Sequence, residues 1–374
     1  MKNSFKHVLF VGPHYSLRGG IASVLKVYSE TIEPFNFLPG YFYKNPVLSI
    51  FYFFAGFAKL FWILLTNRQI KIVHIHTASR GSFFRKSKMV LLSKLFRKKT
   101  ILHIHGGEFK IFLTNAGFLK RYILYILNSV DEVVCLSDEW KVYFDSLTAK
   151  KKSIVLNNPV IIPAETAAKK ITLPVNVLFL NHLNSAKGIF DVLDFFNENK
   201  GWLIGSFQLT VAGAGDSEKL QQFIATNNLN DIIEYKGWVE GKEKEELIKN
   251  SDVFILTSYN EGLPVSILEA MAHKMAIIST NVGGIPRIVR PGENGWLIVP
   301  GDKEALVNVF KEIKNNPVIL GNYGLCSYEI AQDYSPENVN EKLGRIYEEL
   351  LALKPISDDL DYNKENKHAE TEAY

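Results

Sequence analysis

The chain has 374 residues, of which 47% are hydrophobic and 22% are charged, and its net charge is +4. That length exceeds one ordinary hydrophobic core, so we expect two domains. Only two cysteines occur, Cys135 and Cys326, which excludes a disulfide framework and a cysteine-rich zinc site and favours a reducing cytoplasm. No segment has the pattern of a cleaved signal peptide.

Opposite charges divide between the two halves of the chain. Residues 1–170 hold 25 Lys and Arg against 9 Asp and Glu, whereas the remainder holds 18 against 30. The net charges are therefore +16 and −12, which indicates different partners for each half. Nucleic acid, an anionic membrane or a polyanionic substrate could each face the basic half, and charge alone does not choose between them.

The first predicted strand, His7 to Val11, leads into a glycine loop and a helix from about Ile21 to Thr31. A strand, a glycine loop and a helix start in this order are typical of a phosphate-binding turn, although the spacing of a full dinucleotide fingerprint is missing. Gly19 and Gly20 either let a phosphate approach the backbone or only permit a sharp turn.

Pro46 to Leu65 is almost wholly apolar and aromatic, and its length approaches the roughly 20 residues that span a bilayer. A strand predicted at Ile72 to Ile75 follows at once and should pair with the first strand in one sheet. A membrane span would separate these two strands. We therefore predict a buried or interfacial helix.

Arg80 to Lys99 contains eight basic residues and no acidic one, with apolar side chains interleaved. A helix of this kind suits an anionic membrane surface. The alternative is an ordinary amphipathic helix, whose basic side chains face water while its apolar side chains pack on the core. Together with the neighbouring apolar segment, this basic stretch favours peripheral membrane contact. The residues that we assign to the acceptor-facing or membrane-facing side are Arg80, Arg85, Lys86 and Lys88.

Three further strands of the first half end in polar residues, namely His105, Ser137 and Asn158. Ligands of open α/β sheets collect at the carboxyl ends of the strands. His105 precedes two glycines, and this favours a site over a structural role. His74 and His76 alternate on their strand, and we assign them structural roles.

Proline and small residues across 162–173 indicate a linker, after which a second α/β series begins. Strands that alternate with helices predict a parallel, doubly wound sheet. We assign residues 1–170 to the first domain, 171–335 to the second, 336–355 to a terminal helix and 356–374 to a disordered acidic tail. The strands predicted in the second domain are Val175 to Leu180, Phe207 to Ala212, Ile232 to Tyr235, Val253 to Leu256 and Ala276 to Ser279.

The most informative stretch runs from Ser258 to Met271. A polar loop, a glycine turn and a proline at the first helical position lead into an apolar helix. Its two carboxylates, Glu261 and Glu269, have seven residues between them. Free backbone amides around Gly262 to Val265 make an anion site, so the carboxylates can accept sugar hydroxyls while the amides hold phosphate. The combination suits a nucleotide-sugar.

The order of these motifs resembles glycosyltransferase family 4, the retaining enzymes of the GT-B fold. The resemblance covers roughly residues 6–351, and its strongest part is the two-glutamate motif with Gly-Leu-Pro inside it. The other matching motifs are Gly19-Gly20, His105-Gly106, Lys187-Gly188 and Gly213-x-Gly215.

The resemblance implies two Rossmann-like domains that face a cleft, with the acceptor in the first domain, the donor in the second and the terminal helix crossing back. It implies that Glu269 binds the donor ribose and that Glu261 lies by the donor sugar. Lys187 would neutralise the diphosphate, and His105 would contact the transferred sugar. Further donor contacts are implied at Gly19, Gly20, His182, Gly213, Gly215, Gly262, Leu263, Pro264 and Val265.

The implied activity is retaining, metal-independent transfer from a nucleotide-diphosphate sugar to a hydroxyl of a glycan acceptor. A UDP-sugar is favoured over a GDP-sugar, and the basic, aromatic first domain suggests a lipid-linked acceptor of surface polysaccharide assembly. No cofactor, no metal and no nucleic acid is expected, and the expected location is the cytoplasmic face of the membrane.

One residue departs from the family pattern. The family usually has an arginine five residues before the lysine, where this chain has His182. A neutral histidine lacks the fixed charge and the forked donor that suit a diphosphate. Either a protonated His182 or another basic group such as Arg18 would compensate. A catalytically silent nucleotide-sugar-binding subunit, or a sugar phosphorylase or epimerase on the same scaffold, stays open as an alternative.

Overall fold

The computed structural model of the chain describes residues 5–41, 46–149, 153–164 and 170–352. Two parallel six-stranded sheets organise these residues, one in each half of the chain. Their strands are mostly apolar runs buried on both faces, which is the pattern of a parallel sheet covered by helices. The prediction of two doubly wound α/β sheets is therefore confirmed.

The first sheet has the strand order β2-β1-β3-β4-β5-β6. Its strands are β1 (Val8–Pro13), β2 (Phe37–Tyr41), β3 (Ile72–Thr77), β4 (Lys99–Ile104), β5 (Glu132–Cys135) and β6 (Ile154–Val155). Its helices are α1 (Gly20–Thr31), α2 (Pro46–Thr66), α3 (Gly81–Leu95), α4 (Phe109–Thr114), α5 (Lys120–Ser129) and α6 (Asp138–Leu147).

The second sheet has the strand order β12-β11-β10-β7-β8-β9. Its strands are β7 (Val175–Leu180), β8 (Phe207–Ala212), β9 (Ile233–Gly237), β10 (Val253–Leu256), β11 (Ala276–Thr280) and β12 (Gly295–Ile298). The helices of this half are α7 (Ile189–Glu198), α8 (Lys200–Leu203), α9 (Ser217–Thr226), α10 (Gly241–Lys249), α11 (Val265–Ala272), α12 (Ile285–Ile288), α13 (Lys303–Asn315) and α14 (Ile319–Gln332), followed by α15 (Pro336–Ala352).

Two edge strands escape the sequence pattern. β2 contains Pro39 and Gly40, which disfavour a strand, and it is tolerated because it pairs with β1 alone at the edge. β12 begins at Gly295, where the Asn-Gly pair reads as a turn. The strand that we expect to end in Asn158 is also shorter than the pattern suggests, because only Ile154 and Val155 pair with β5.

The apolar segment 46–65 folds as α2, which lies against β2 and α3. Phe53, Leu60 and Leu64 face the core, whereas much of the helix is exposed to solvent. Among the residues that the structure describes, no helix combines the length and the apolar character that crossing a bilayer requires.

Helix α15 packs against the first sheet although it follows the second one. Val339, Leu343 and Tyr347 are buried in one hydrophobic cluster with Phe10 of β1 and Leu25 of α1. The chain therefore crosses from the second sheet back to the first. Residues 353–355 of the predicted helix and the predicted tail at 356–374 lie outside the described residues.

Candidate active site

The loop between β10 and α11 contains the first carboxylate of the two-glutamate motif. Helix α11 begins at Val265, and Pro264 precedes it in an extended conformation with ψ 120°, so the prediction of Pro264 at the first helical position is wrong by one residue. Two hydrogen bonds from β11 and the turn after it hold this loop. Thr280 Oγ1 donates to the Ser258 carbonyl at 2.6 Å, and Gly284 N donates to the Gly262 carbonyl at 2.7 Å. No side chain caps the start of α11.

Glu261 and Lys187 form an ion pair in this loop. Lys187 Nζ lies 2.6 Å from Glu261 Oε1, and Ser258 Oγ donates to the same oxygen at 2.8 Å. Glu261 is only 9% exposed, so the pair is held largely out of water. Lys187 is positioned by Asn184, whose side-chain oxygen accepts a hydrogen bond from the Lys187 backbone N–H at 3.0 Å.

Glu269 has its own lysine. Lys244 Nζ of α10 lies 2.6 Å from Glu269 Oε1, and both side chains are about three-quarters buried. Sequence reasoning missed Lys244, because it stands in a helix in which lysine and glutamate alternate and nothing distinguishes it from its neighbours. The two carboxylates of the motif are therefore each paired with one lysine from a different element.

Residues of helix α6 and of two loops of the first domain contact the backbone of Glu261 to Leu263. Trp140 Nε1 donates to the Glu261 carbonyl at 3.4 Å, and Asn158 Nδ2 donates to the Leu263 carbonyl at 2.8 Å. A Cβ atom added at Gly107 would lie 2.6 Å from the carbonyl carbon of Glu261. Glycine is therefore required at position 107 for this approach of the two domains.

His105 lies beside the same loop. Its carbonyl oxygen would be 2.9 Å from a Cβ atom added at Gly262, and its ring Nε2 is 2.8 Å from His76 Nδ1. Burial lowers the pKa of His105 to about 3, against a smaller opposing effect of the Asn158 side chain. The imidazole is therefore neutral near pH 7, and His105 cannot supply a cation to the cleft.

The first glycine loop also reaches the second domain. Gly19 has φ 138° and precedes α1, and a Cβ atom at Gly20 would meet no other atom within 4 Å. The guanidinium of Arg18 lies 4.7 Å from the centre of the Trp238 ring, a cation–π contact between the two halves of the chain. Open space above Gly20 leaves room for a ligand.

His182 packs against a glycine of the second domain. Its Nδ1 lies 3.2 Å from Asn184 Nδ2, and its ring would be 2.8 Å from a Cβ atom at Gly215. Gly213 has φ 152°, and a Cβ atom there would lie 1.9 Å from the Asn181 carbonyl. These glycines bring the β8 loop against the loop that holds His182.

The predicted acceptor-facing or membrane-facing residues do not share one environment. Arg80 forms an ion pair with Glu108 at 3.2 Å, Arg85 is half-buried and Lys88 is exposed. Lys86 is buried, so the prediction that it faces an acceptor or a membrane is wrong. Its helix turns it toward the core beside Gly40, and burial lowers its pKa to about 7, with Arg85 adding to the effect.

Residues 166–325 match the family model described as glycosyl transferases group 1. The matched segment contains all six strands of the second sheet. It contains Lys187, Lys244, Glu261 and Glu269.

Curated relatives extend the same similarity. The chain is 27% identical over 183 residues to a putative colanic acid biosynthesis glycosyltransferase, WcaL, of Salmonella typhimurium, covering 46% of this chain and 45% of that protein. It thus matches about half of that relative's length. An uncharacterized glycosyltransferase of Methanocaldococcus jannaschii is 25% identical over 292 residues, covering 77% of this chain and 78% of that one.

Solved structures show the fold. The structure of Anabaena HepE in complex with UDP and glucose matches with a TM-score of 0.71 and 16% identity, covering 93% of this chain and 100% of that chain. The two parallel sheets with their covering helices together form a GT-B fold, as predicted.

Gly107→Ala should weaken the contact between the two domains, because the added methyl group collides with the Glu261 backbone. We expect a larger radius of gyration by small-angle X-ray scattering. Gly201→Ala is the matched control, since a Cβ atom there meets nothing within 4 Å. An unchanged radius of gyration in Gly107→Ala would contradict the contact.

Proposed function

We propose that this chain is a retaining glycosyltransferase that moves a sugar from a UDP-sugar to a hydroxyl of a glycan acceptor. The observation that carries the proposal is the pair of lysine–glutamate contacts at 2.6 Å, Lys187–Glu261 and Lys244–Glu269, on either side of the α11 start within the segment that matches the group 1 glycosyl transferase model.

The donor would bind across these two pairs. A diphosphate brings negative charge to Lys187 and to the uncapped start of α11, where backbone N–H groups and the helix dipole favour anions. Lys187 would then donate hydrogen bonds to phosphate oxygens as well as to Glu261. Glu261 would accept hydrogen bonds from hydroxyls of the donor sugar. Glu269, held by Lys244, would accept hydrogen bonds from the ribose hydroxyls.

The chemical step needs only these groups. The bond between the anomeric carbon and the diphosphate oxygen breaks, the acceptor oxygen bonds to that carbon on the same face, and the acceptor proton passes to the departing phosphate. Charge developing on the phosphate oxygens would be stabilised by Lys187 and the α11 amides, a preorganised electrostatic effect. The neutral His105 would serve as a hydrogen-bonding group rather than as an acid, and no step requires a metal.

The names of relatives support a polysaccharide product and a uridine nucleotide. Relatives include the WcaL protein described above and an amylovoran biosynthesis glycosyltransferase of Erwinia amylovora, which is 27% identical over 187 residues. Solved neighbours include complexes with UDP and with UDP-glucose.

A cavity in the first domain supports a lipid-linked acceptor. It has a volume of about 400 Å³ and is lined by Phe84, Ile111 and Leu119, with Arg80 among them. Arg80 pairs with Glu108, and Glu108 follows Gly107, which touches the Glu261 backbone. An apolar cavity with a cation beside the cleft would suit an acceptor that carries a lipid and a phosphate.

Donor turnover tests the assignment of the two pairs. We expect Lys187→Met to lower the rate of UDP release from UDP-sugars by about 10²–10³-fold, the range found when one charge-stabilising donor is removed. Glu269→Gln should raise the KM for the donor. A panel of UDP-, GDP- and ADP-sugars, assayed with glycan acceptors by product analysis, identifies the nucleotide.

Exposed residues of α10 provide matched controls, namely Lys249→Met and Glu245→Gln. Full turnover in Lys187→Met would contradict the assignment. Nucleotide binding without turnover on any acceptor would instead favour a silent binding subunit. Formation of a sugar phosphate in the presence of inorganic phosphate would favour a phosphorylase.

Helix α2 is the surface that we propose for peripheral contact with an anionic membrane. Its outward face exposes Phe51, Phe54 and Trp62, each by more than 60%, and Lys59 lies on the exposed side. A contiguous apolar patch of this kind is rare on a protein that meets only water. Lys88 of the neighbouring α3 adds positive charge, which suits an anionic leaflet.

Replacing Phe51 and Trp62 together with serine should abolish flotation with vesicles of anionic phospholipid, because most of the inserted apolar area is lost. Phe118→Ser is the control, since Phe118 is 87% exposed but lies outside α2. Arg85→Gln with Lys88→Gln should weaken flotation in a salt-dependent manner. Flotation that is independent of both α2 and anionic lipid would contradict the proposed surface.

A further inference from the structure

The loop between β1 and α1 carries an arginine that faces the second domain. Arg18 comes directly before Gly19 and Gly20, and its side chain is exposed. Its guanidinium lies 4.7 Å from the centre of the Trp238 ring, which follows β9 of the second sheet. Among the residues that the structure describes, no carboxylate forms an ion pair with Arg18. A cation therefore stands at the junction of the two domains against an aromatic ring.

Four neighbouring strands of the second sheet place the loops of the site in a row. β10, β7, β8 and β9 are parallel and pair in that order. The carboxyl ends of parallel strands meet at one edge of the sheet, which is where ligands of open α/β sheets bind. Glu261 follows β10, His182 and Lys187 follow β7, Gly213 follows β8, and Trp238 follows β9. Trp238 is therefore at one end of the row and Glu261 at the other.

The loop after β8 joins Trp238 to His182. At one end of this loop, Gly213 N donates a hydrogen bond to the carbonyl of Gly237 at 2.7 Å, and Gly237 directly precedes Trp238. At its other end the loop packs against His182, whose ring would be 2.8 Å from a Cβ atom at Gly215. The guanidinium over Trp238 is therefore one loop away from the position at which the family pattern has an arginine.

Helix α1 brings the same loop close to the start of α11. Ile21 of α1 and Val265, the first residue of α11, pack against one hydrophobic cluster, and the two helices are in contact. A Cβ atom at Gly20 would meet no other atom within 4 Å, so the space beside the start of α1 is open. The loop that carries Arg18 therefore extends from the start of α11 to Trp238, and it borders the space in which the proposed function places the diphosphate.

We infer that Arg18 leaves Trp238 and binds the diphosphate of the nucleotide-sugar, an assignment that rests on the function proposed above. A guanidinium offers two parallel N–H groups to a phosphate and keeps its charge at physiological pH, whereas His182 offers neither the fork nor a fixed charge. A cation–π contact at an exposed site is weaker than charge-assisted hydrogen bonds to phosphate, so the ligand would take the guanidinium from the ring. Because Arg18 belongs to the first domain and Lys187 to the second, the diphosphate would be held by both domains.

Calorimetric titration of the full-length protein with UDP, in the absence of an acceptor, tests this assignment. We expect Arg18→Gln to weaken UDP binding by about 10–100-fold, the range for a hydrogen bond between charged groups. Arg18→Lys keeps the charge without the fork, so its affinity should fall between those of Arg18→Gln and the wild type. Arg68→Gln is the matched control, because Arg68 is an exposed arginine in the turn between α2 and β3.

A second arginine distinguishes a phosphate contact from a structural role. His182→Arg introduced into the Arg18→Gln protein should restore most of the UDP affinity, because it returns a forked cation to the loop before Lys187. Full UDP affinity in Arg18→Gln, or a loss that His182→Arg leaves unchanged, would overturn the role of Arg18 and leave the proposed function in place. A wild-type protein that binds no nucleoside diphosphate would contradict both.

Discussion

The backbone from Glu261 to Leu263 is the constraint on which the rest of the site depends. Residues of the first domain donate hydrogen bonds to its carbonyl groups, and Gly107 approaches it so closely that no side chain would fit. The backbone N–H of Gly284 donates a further hydrogen bond to the carbonyl of Gly262 in the same turn. Both domains thus contact the backbone of these three residues, while the side chain of Glu261 is held by Lys187 and Ser258 of the second domain.

Charge pairing then prepares this position for an anionic ligand. Each glutamate of the motif is paired with a lysine from another element, so neither of these two carboxylates lacks a charged partner. Breaking a buried pair is costly, whereas sharing its lysine with a phosphate replaces one charged partner by another. The pairs therefore hold the carboxylates in position, and a nucleotide-sugar would supply the phosphate that such sharing needs.

Sequence patterns are sufficient for the architecture and for part of the site. Apolar strands alternating with helices predict both sheets, because period and burial are local properties of the chain. They miss β2 and β12, because Pro39 and an Asn-Gly pair are typical of turns rather than strands. Both strands are tolerated because each lies at the edge of its sheet and pairs with one neighbour only. They also place Lys86 on the surface, since a basic side chain that turns into the core leaves no trace in composition.

Long-range partners are the part that the sequence does not reveal. Lys244 is one of several lysines in its helix, and its contact with Glu269 depends on how α10 packs beside α11. The contacts of His74 with His103 and Tyr347 are also invisible in the sequence. They depend on the register of β3 against β4 and on the packing of α15. Motifs predict which residues share a loop, whereas packing decides which residues share a site.

A nucleotide-sugar should bind at the start of α11, between the two lysine–glutamate pairs. Hydrogen exchange of the full-length protein with and without saturating UDP measures this most directly, because bound phosphate should protect the amides that it contacts. We expect slower exchange at 185–190 and 262–268 when UDP is bound, with exchange in α2 unchanged. Saturable UDP binding that leaves both of those segments unprotected would contradict it.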